Sequence, residues 1–201
     1  MPATPDSFHR TRYLAGMSDA AVRPATVQDV AEIARIQRET WRAAYTAILG
    51  EHAVATLVGA DLEGTWRETI GYPGTRVHLA TEGNFTVGFC VAGRAPDSEV
   101  AAADGTLPAD AAATGLVAAL LVEPRWGRRG HAGRLLATAA AGLRADGAER
   151  GVAWVPQADH ASLGFYRRAG WAPDGTVRTL DTGETMVREI RLTGTLDLAL
   201  R

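Results

Sequence analysis

The stretch from Leu116 to Gly147 constrains the fold of this chain more than any other segment. Residues 116–122 are all apolar without alternation, which is typical of a strand buried on both faces in the middle of a sheet. A turn rich in Arg and Gly follows over 125–132, and then a helical pattern over 133–146 that Gly147 ends. A buried strand that turns directly into a helix predicts a layered domain of sheet and helices.

The rest of the chain alternates between strand-like and helix-like segments in the same way. Strands are predicted over 21–24, 76–81, 85–91, 152–155, 176–180 and 186–192, and helices over 26–48, over 51–70 with a break near Gly59, and over 159–169. The loop over 93–112 is long enough to suggest a functional lid or an insertion. We therefore predict an α/β (α+β) fold: one domain over 21–201 whose mixed, twisted sheet has helices on both faces, preceded by a loose extension over 1–20.

Composition excludes several classes of protein. The chain has 201 residues, with 46% hydrophobic and 22% charged residues, as globular proteins do. All 21 basic residues are Arg, and the net charge of −2 gives no overall field that would attract nucleic acid or an anionic membrane. No apolar run reaches the roughly 18–20 residues that cross a bilayer, and residues 1–20 lack the apolar core of a secretory signal. We therefore expect a cytoplasmic protein that binds neither nucleic acid nor membrane, and Met17 is an alternative start.

The turn between the central strand and its helix has the properties of an anion site. Gly130 and Gly133, with the small Ala132 between them, let a ligand approach the backbone closely. Successive backbone N–H groups and the positive end of the helix dipole favour a phosphate, and Arg128 and Arg129 add charge at the rim. The spacing matches neither a Walker loop nor the dinucleotide fingerprint. A pyrophosphate is the ligand that this combination predicts.

Two motifs resemble the GNAT superfamily of acyl-CoA-dependent N-acyltransferases. The run Gly127-Arg128-Arg129-Gly130-His131-Ala132 is similar to the family's Gln/Arg-x-x-Gly-x-Gly/Ala loop, except that Gly127 replaces the first residue. Further on, the run from Asp159 to Trp171 resembles Asn-x-x-Ala-x-x-Phe-Tyr-x-x-x-Gly-Phe, with Asp159, Ser162 and Trp171 as departures. Because the two motifs stand in the right order at a fitting separation, the resemblance is specific. It implies a GNAT-like fold from Ala21 to Leu192.

The resemblance implies direct transfer of an acetyl group from acetyl-CoA to the primary amine of a small molecule or peptide, in a ternary complex. Tyr166 stands at the position of the family's proton donor to the leaving thiolate, and a phenol with a pKa near 10 can fill that role. The strand backbone around Leu120 is expected to hold the pantetheine arm and to polarise the thioester carbonyl. The residues that we assign to the cofactor are Leu120, Leu121, Val122, Arg128, Arg129, Gly130, His131, Ala132, Gly133 and Asp159.

Several roles stay open at the level of sequence. The base that deprotonates the amine is not identified, because the strand over 116–122 contains no carboxylate. Trp41 and Tyr45 could line an acceptor pocket or could equally pack in the core. As the variable residue of its loop, His131 is expected to point to solvent. His78 and Cys90 are expected to be structural, and no metal site is predicted. The first two helices and the loop over 93–112 should form the acceptor pocket.

Two other functions compete with the enzyme. A binding module that senses acetyl-CoA without catalysis is favoured by the missing strand carboxylate and by Asp159 in place of Asn. A nucleic-acid-binding domain would use the cluster of Arg125, Arg128, Arg129 and Arg134, and its affinity would depend steeply on salt. The acceptor and the preferred acyl chain cannot be read from the sequence. A homodimer is possible, but nothing in the sequence settles the oligomeric state.

Overall fold

Residues 19–198 are described here, in a computed structural model of the chain. They form one seven-stranded sheet in the order β1-β2-β3-β4-β5-β7-β6. Only β4 and β5 pair in parallel, so the sheet is mixed and mostly antiparallel. Helices cover both faces, which confirms the predicted architecture. Most of the predicted extension over 1–20 lies outside the described residues, and its last residue, Ala20, already belongs to β1.

The strands are β1 Ala20–Pro24, β2 Thr75–Glu82, β3 Phe85–Arg94, β4 Thr114–Val122, β5 Arg150–Pro156, β6 Ala172–Asp181 and β7 Met186–Thr195. The helices are α1 Val30–Thr40, α2 Thr46–Leu49, α3 Glu51–Gly59, α4 Leu62–Gly71, α5 Asp97–Val100, α6 His131–Ala145 and α7 His160–Arg168. A π-helical turn over Trp41–Tyr45 joins α1 to α2, and short 3-10 turns precede α1, β4 and α6.

The first helix begins where the sequence predicts it. The backbone N–H of Thr26 donates to Asp29 Oδ2 at 2.8 Å, and the N–H of Asp29 donates to the Thr26 carbonyl at 3.0 Å. Arg23 on β1 holds the same carboxylate through two short contacts, of 2.8 and 2.6 Å. The hydrogen bond from Arg23 therefore keeps the pKa of Asp29 well below its ordinary value.

Apolar side chains alternate between the two faces of the central strands and build two cores. On one face, Leu79 and Phe89 pack under α1 and α4, with the Trp66 ring edge-on to Phe89 at a centroid distance of 4.9 Å. On the other face, Ala80 and Cys90 pack against α6 and α7. Because β4 is covered on both sides over most of its length, its sequence from Leu116 to Val122 is apolar, as predicted.

The sheet divides between β4 and β5. Their pairing covers only Thr114–Leu116 against Arg150–Val152, so β4 loses its β5 partner beyond Leu116. On the other edge of β4, the register with β3 shifts at Ala118, where Ala119 and Val117 face consecutive residues of β3. Such a bulge bends and twists the strand. Ala118 is consequently exposed although it lies in a central strand.

The loop over 93–112 is not a free lid. It contains α5, and its apolar residues Ala95, Val100 and Ala111 form a small core with Val152. Arg191 on β7 donates to two backbone carbonyls of this loop, at 3.1 and 2.8 Å. These contacts fasten the loop to the far half of the sheet. The prediction of a functional lid is therefore wrong for this segment.

Candidate active site between the fourth and fifth strands

Two cavities open where β4 and β5 separate. The first, with a volume of about 730 Å³, lies towards α1–α3 and the β6–β7 turn. The second, of about 800 Å³, lies against the start of α6 and the side of α7. Leu120 on β4 and Ser162 on α7 line both cavities, so the cavities meet at these two residues. A ligand could extend from each side and react at this junction.

The Gly/Arg loop forms one end of the second cavity. Gly130 has φ +81° directly before α6, a conformation that glycine adopts without steric cost. Arg128, at φ +63°, is the one non-glycine residue with positive φ among the described residues. Strained backbone of this kind is concentrated at binding sites. The amides of the first turn of α6 have no partner within the helix and are available to an anion. The loop and helix residues on this wall are Gly127, Arg128, Gly130, His131, Ala132, Gly133 and Arg134.

The side chain of His131 points inward, and the prediction that it faces solvent is wrong. His131 is only 2% exposed, and its Nε2 lies 2.7 Å from Oε2 of Glu82 at the end of β2. Arg129 donates to the other carboxylate oxygen at 2.7 Å. Partial burial opposes the charge of Glu82, but the hydrogen bonds from His131 and Arg129 outweigh it and lower the pKa of Glu82. The contacts of His131 and Arg129 with Glu82 join the Gly/Arg loop to the end of β2.

Tyr166 lies on the wall of the first cavity, near the C-terminal end of α7. It is 5% exposed, and its ring packs between Phe165 and Trp171 at centroid distances of 5.2 and 5.3 Å. Burial, together with the neighbouring Cys90 and Tyr45, raises the pKa of the phenol above its ordinary value. Tyr166 is therefore a neutral hydroxyl group at any pH near 7, able to donate a hydrogen bond.

A second hydroxyl group lies close by, on Tyr45. It donates to Asp159 Oδ2 at 3.2 Å, and the Ser162 hydroxyl donates to the same oxygen at 2.7 Å. The other oxygen of Asp159 accepts the Ser162 backbone N–H at 3.0 Å and so caps α7. Asp159, which we assigned to the cofactor, lines neither cavity but lies behind Ser162. The contact of Asp159 with Tyr45 and Ser162 joins α7 to the π-helical turn.

The π-helical turn places both Trp41 and Tyr45 on the first cavity. Extra residues of this kind in a helix are frequent at functional sites, because they redirect side chains. Tyr45 is largely buried, and burial and the adjacent Asp159 raise its pKa. The sequence left open whether these two rings line a pocket or pack in the core. They do both, because each ring also packs against the core formed by α1 and α4.

The backbone of β4 borders both cavities. Leu121 lines the first and Val122 the second, with Leu120 shared between them. Because this stretch of β4 has no partner on the β5 side, its outward backbone groups can pair with a ligand. Cys90 lies opposite Leu120 in the β3 ladder and is fully buried, which raises the pKa of its thiol to about 12. A thiol protonated at neutral pH is a poor nucleophile.

Glu123, at the exit of β4, is held in ion pairs. Its side chain is 2% exposed, with Arg35 at 2.6 Å from one oxygen and Arg125 at 2.6 Å from the other. Glu123 lines neither cavity. Its carboxylate therefore anchors the loop after β4 to α1 and does not reach the junction.

Sequence reasoning missed the residues that complete the first cavity. Trp154 on β5, Asp181 on β6 and Glu189 on β7 line it together with Leu49 and His52. These residues belong to neither motif, and no spacing brings them together in the sequence. The predicted contribution of the loop over 93–112 is wrong, because none of its residues lines either cavity.

Within residues 19–198, no group of three or more His, Cys, Asp or Glu side chains is arranged to hold a metal ion. No helix in the same part of the chain is long and apolar enough to cross a membrane.

Comparison with known proteins places this architecture in a class. The family model for the acetyltransferase (GNAT) family matches residues 31–171. Because the match covers most of the chain and both motifs, the protein belongs to the GNAT acetyltransferase family. No curated protein sequence matches the chain.

Solved structures resemble the fold at low sequence identity. PaiA N-acetyltransferase from Thermoplasma acidophilum, in complex with coenzyme A, is similar with a TM-score of 0.69 and 13% identity, over 88% of this chain and 98% of that one. YncA from Salmonella typhimurium, with its cofactor acetyl-CoA, is similar with a TM-score of 0.64 and 17% identity, over 89% of this chain and 94% of that one. An N-acetyltransferase from Staphylococcus aureus is similar with a TM-score of 0.66 and 18% identity, over 90% of this chain and 100% of that one.

Proposed function

We propose that the protein transfers an acetyl group from acetyl-CoA to the primary amine of a small molecule or peptide, by direct attack in a ternary complex. The observation that carries this proposal is the meeting of the two cavities at Leu120 and Ser162. One cavity ends at a turn built for an anion, and the other is lined by aromatic and apolar groups. Two reactants bound from opposite sides would meet at the unpaired edge of β4.

The second cavity is the proposed site of acetyl-CoA. The first-turn amides of α6 and the positive end of its dipole would hold the pyrophosphate, with Arg128 at the rim. Ala132 and Gly133 lack the side chains that would block this approach. The pantetheine arm would then follow the backbone of Leu120–Val122 to the junction. The similar structures in complex with coenzyme A and with acetyl-CoA support this choice of cofactor.

Tyr166 is the proposed proton donor to the leaving thiolate. The neutral amine nitrogen attacks the thioester carbon and the C–N bond forms, the C–S bond breaks, and the sulfur leaves as a thiolate whose conjugate thiol has a pKa of about 8.5. The proton that the nitrogen loses passes to solvent, and a buried neutral phenol on the wall of the cavity can stabilise the thiolate or protonate it. Cys90 takes no part, since its thiol is buried and protonated, and we propose no acyl-cysteine intermediate.

The proposal is tested by two measurements on the same purified protein. Isothermal titration calorimetry with acetyl-CoA should show saturable binding at one site. A panel of primary amines mixed with acetyl-CoA should release free thiol in proportion to acetylated product. Labelled acetyl-CoA without an amine should leave no stable label on Cys90. No heat of binding would overturn the assignment, and label on Cys90 would overturn direct transfer.

A second candidate is a sensor that binds acetyl-CoA but has little catalytic activity. The burial of Glu123 in ion pairs favours it, because β4 then presents no carboxylate to deprotonate the amine. Lysine-like amines have a pKa near 10.4, so exposing the lone pair at pH 7 costs about 4–5 kcal/mol. Binding of acetyl-CoA without thiol release for any amine would support the sensor. A cytoplasmic location and a homodimer stay predictions.

A further inference from the structure

We propose that the acceptor is a primary amine carried on an aromatic or branched apolar body, with no carboxylate or phosphate of its own. This inference rests on the proposed acetyl transfer and assigns the first cavity to that class of amine. Three properties of the first cavity support it: the aromatic lining, the sign of the charges, and the polar groups at the junction with the second cavity.

Six aromatic rings line the wall of the cavity. The rings are those of Trp41, Tyr45, Trp66, Phe89, Trp154 and Tyr166. Most of the remaining wall is aliphatic, including Leu49 and Leu57 near the opening. Transfer of a ring or branched chain from water to such a wall is worth about 1.5–3 kcal/mol, which corresponds to about 10- to 150-fold in kcat/KM. A short or strongly hydrated amine would gain none of this.

The charges of the cavity favour a cation and oppose an anion. The ionised side chains that line it are the carboxylates of Asp181 and Glu189. No arginine lines it, although the chain contains 21 basic residues, all of them Arg. Arg178, which pairs with Glu189 at 2.6 Å and with Glu99 at 3.0 Å, is outside the wall. An acceptor carboxylate would meet the carboxylate of Asp181 and that of Glu189, which is already paired with Arg178, and it would find no arginine on the wall, a combination that costs affinity.

His52 is the one histidine on the wall. It lies at the start of α3, where its backbone N–H donates to Glu184 at 2.8 Å. That carboxylate comes from the β6–β7 turn and adds a further negative charge beside this end of the cavity. An amino acid would therefore find no dedicated carboxylate site there.

The junction with the second cavity also offers polar groups. The hydroxyl groups of Tyr45 and Ser162 both donate to Asp159, so their oxygen lone pairs remain free to accept from an ammonium or amine N–H. The junction holds the amine beside the thioester site while the apolar wall holds the body. The cavity thus orients an amphipathic amine with its nitrogen towards Leu120.

The test compares amines that differ by one feature at a time. Phenethylamine is the expected acceptor, phenylalanine adds only the carboxylate, ethylamine lacks the ring, and spermine is a polyamine without an apolar body. We expect kcat/KM for phenethylamine to exceed that for each of the other three by at least tenfold. Trp41→Ala, with folding checked by circular dichroism, should lower the ratio of kcat/KM for phenethylamine to kcat/KM for ethylamine about tenfold or more relative to wild type.

The possible failures are distinguishable. If phenylalanine, ethylamine or spermine is acetylated as well as phenethylamine, the inference is overturned while acetyl transfer stands. If Trp41→Ala folds like wild type and leaves that ratio unchanged, the ring does not bind the apolar body, and the inference is overturned again. If calorimetry detects no binding of acetyl-CoA, the proposed function fails together with the inference.

Discussion

Replacing Tyr166 with Phe removes one oxygen atom from the wall of the first cavity and changes little else. The ring would keep its packing against Phe165 and Trp171, so the free energy of unfolding should change by less than about 1 kcal/mol. A hydrogen bond to a charged group is worth about 1.5–3 kcal/mol, which corresponds to about 10- to 150-fold in rate. If the phenol also transfers its proton, the loss can reach 10²–10⁴-fold. We therefore expect kcat to fall at least about tenfold.

The assay follows free thiol released from acetyl-CoA at saturating amine, with acetyl-CoA affinity measured by calorimetry. The dissociation constant of acetyl-CoA should stay within twofold of wild type, because Tyr166 does not line the second cavity. Tyr72→Phe is the matched control, since Tyr72 is 69% exposed and lines neither cavity, and its kcat should be unchanged. If Tyr166→Phe keeps kcat within twofold while it folds and binds normally, Tyr166 is not the donor.

Three further changes probe the loop, the cap and the buried groups. Gly130→Ala places a side chain at φ +81°, so we expect a loss of about 1–2 kcal/mol in stability and weaker acetyl-CoA binding by calorimetry. The control is Gly147→Ala, at φ +90° with no atom near the added methyl group, which should lose similar stability and bind acetyl-CoA like wild type. Asp159→Ala should lower the free energy of unfolding by about 1 kcal/mol in urea, and Asp159→Asn should recover most of it, because Asn still accepts from the helix amide. Burial raises the pKa of the Cys90 thiol to about 12 and also raises the pKa of the Tyr166 phenol, so the unfolded chain loses these protons at a lower pH than the folded chain does. The free energy of unfolding in urea should therefore fall as pH rises above about 8.5. A flat profile from pH 8 to 11 would contradict this.

Local patterns predicted the elements that depend on local chemistry. The hairpin of β2 and β3 follows from two apolar runs around Glu82-Gly83-Asn84, and the structure pairs these strands throughout. The break between α3 and α4 falls at Ala60 and Asp61, next to the predicted Gly59. By contrast, β6 begins at Ala172, four residues before its predicted start at Thr176. Pro173 and Gly175 conceal this edge strand, since an edge tolerates residues that a central strand excludes.

Contacts between distant segments decided what the sequence could not show. The inward position of His131 depends on Glu82, 49 residues earlier, which no pattern around the Gly/Arg loop indicates. The link from Tyr45 to Asp159 spans 114 residues. Cofactor recognition through backbone amides leaves a compact motif, because the geometry of one turn supplies the donors. The cavity proposed for the acceptor leaves no such motif, because its side chains come from five or more separate elements.

The contacts between the β6–β7 turn and α2–α3, at one wall of the first cavity, show why the size of this cavity depends on tertiary structure. Glu184, in the β6–β7 turn, accepts the backbone N–H groups of His52 and Ala53 at 2.8 and 3.3 Å, at the otherwise unpaired start of α3. Thr182 in the same turn donates to the Leu49 carbonyl at 2.9 Å. These bonds join two segments about 130 residues apart, and residues of both segments, Leu49, His52, Ala53 and Thr182, line the cavity. The width of the cavity at this wall is therefore set by how the β6–β7 turn packs on α2 and α3, which no pattern within either segment predicts.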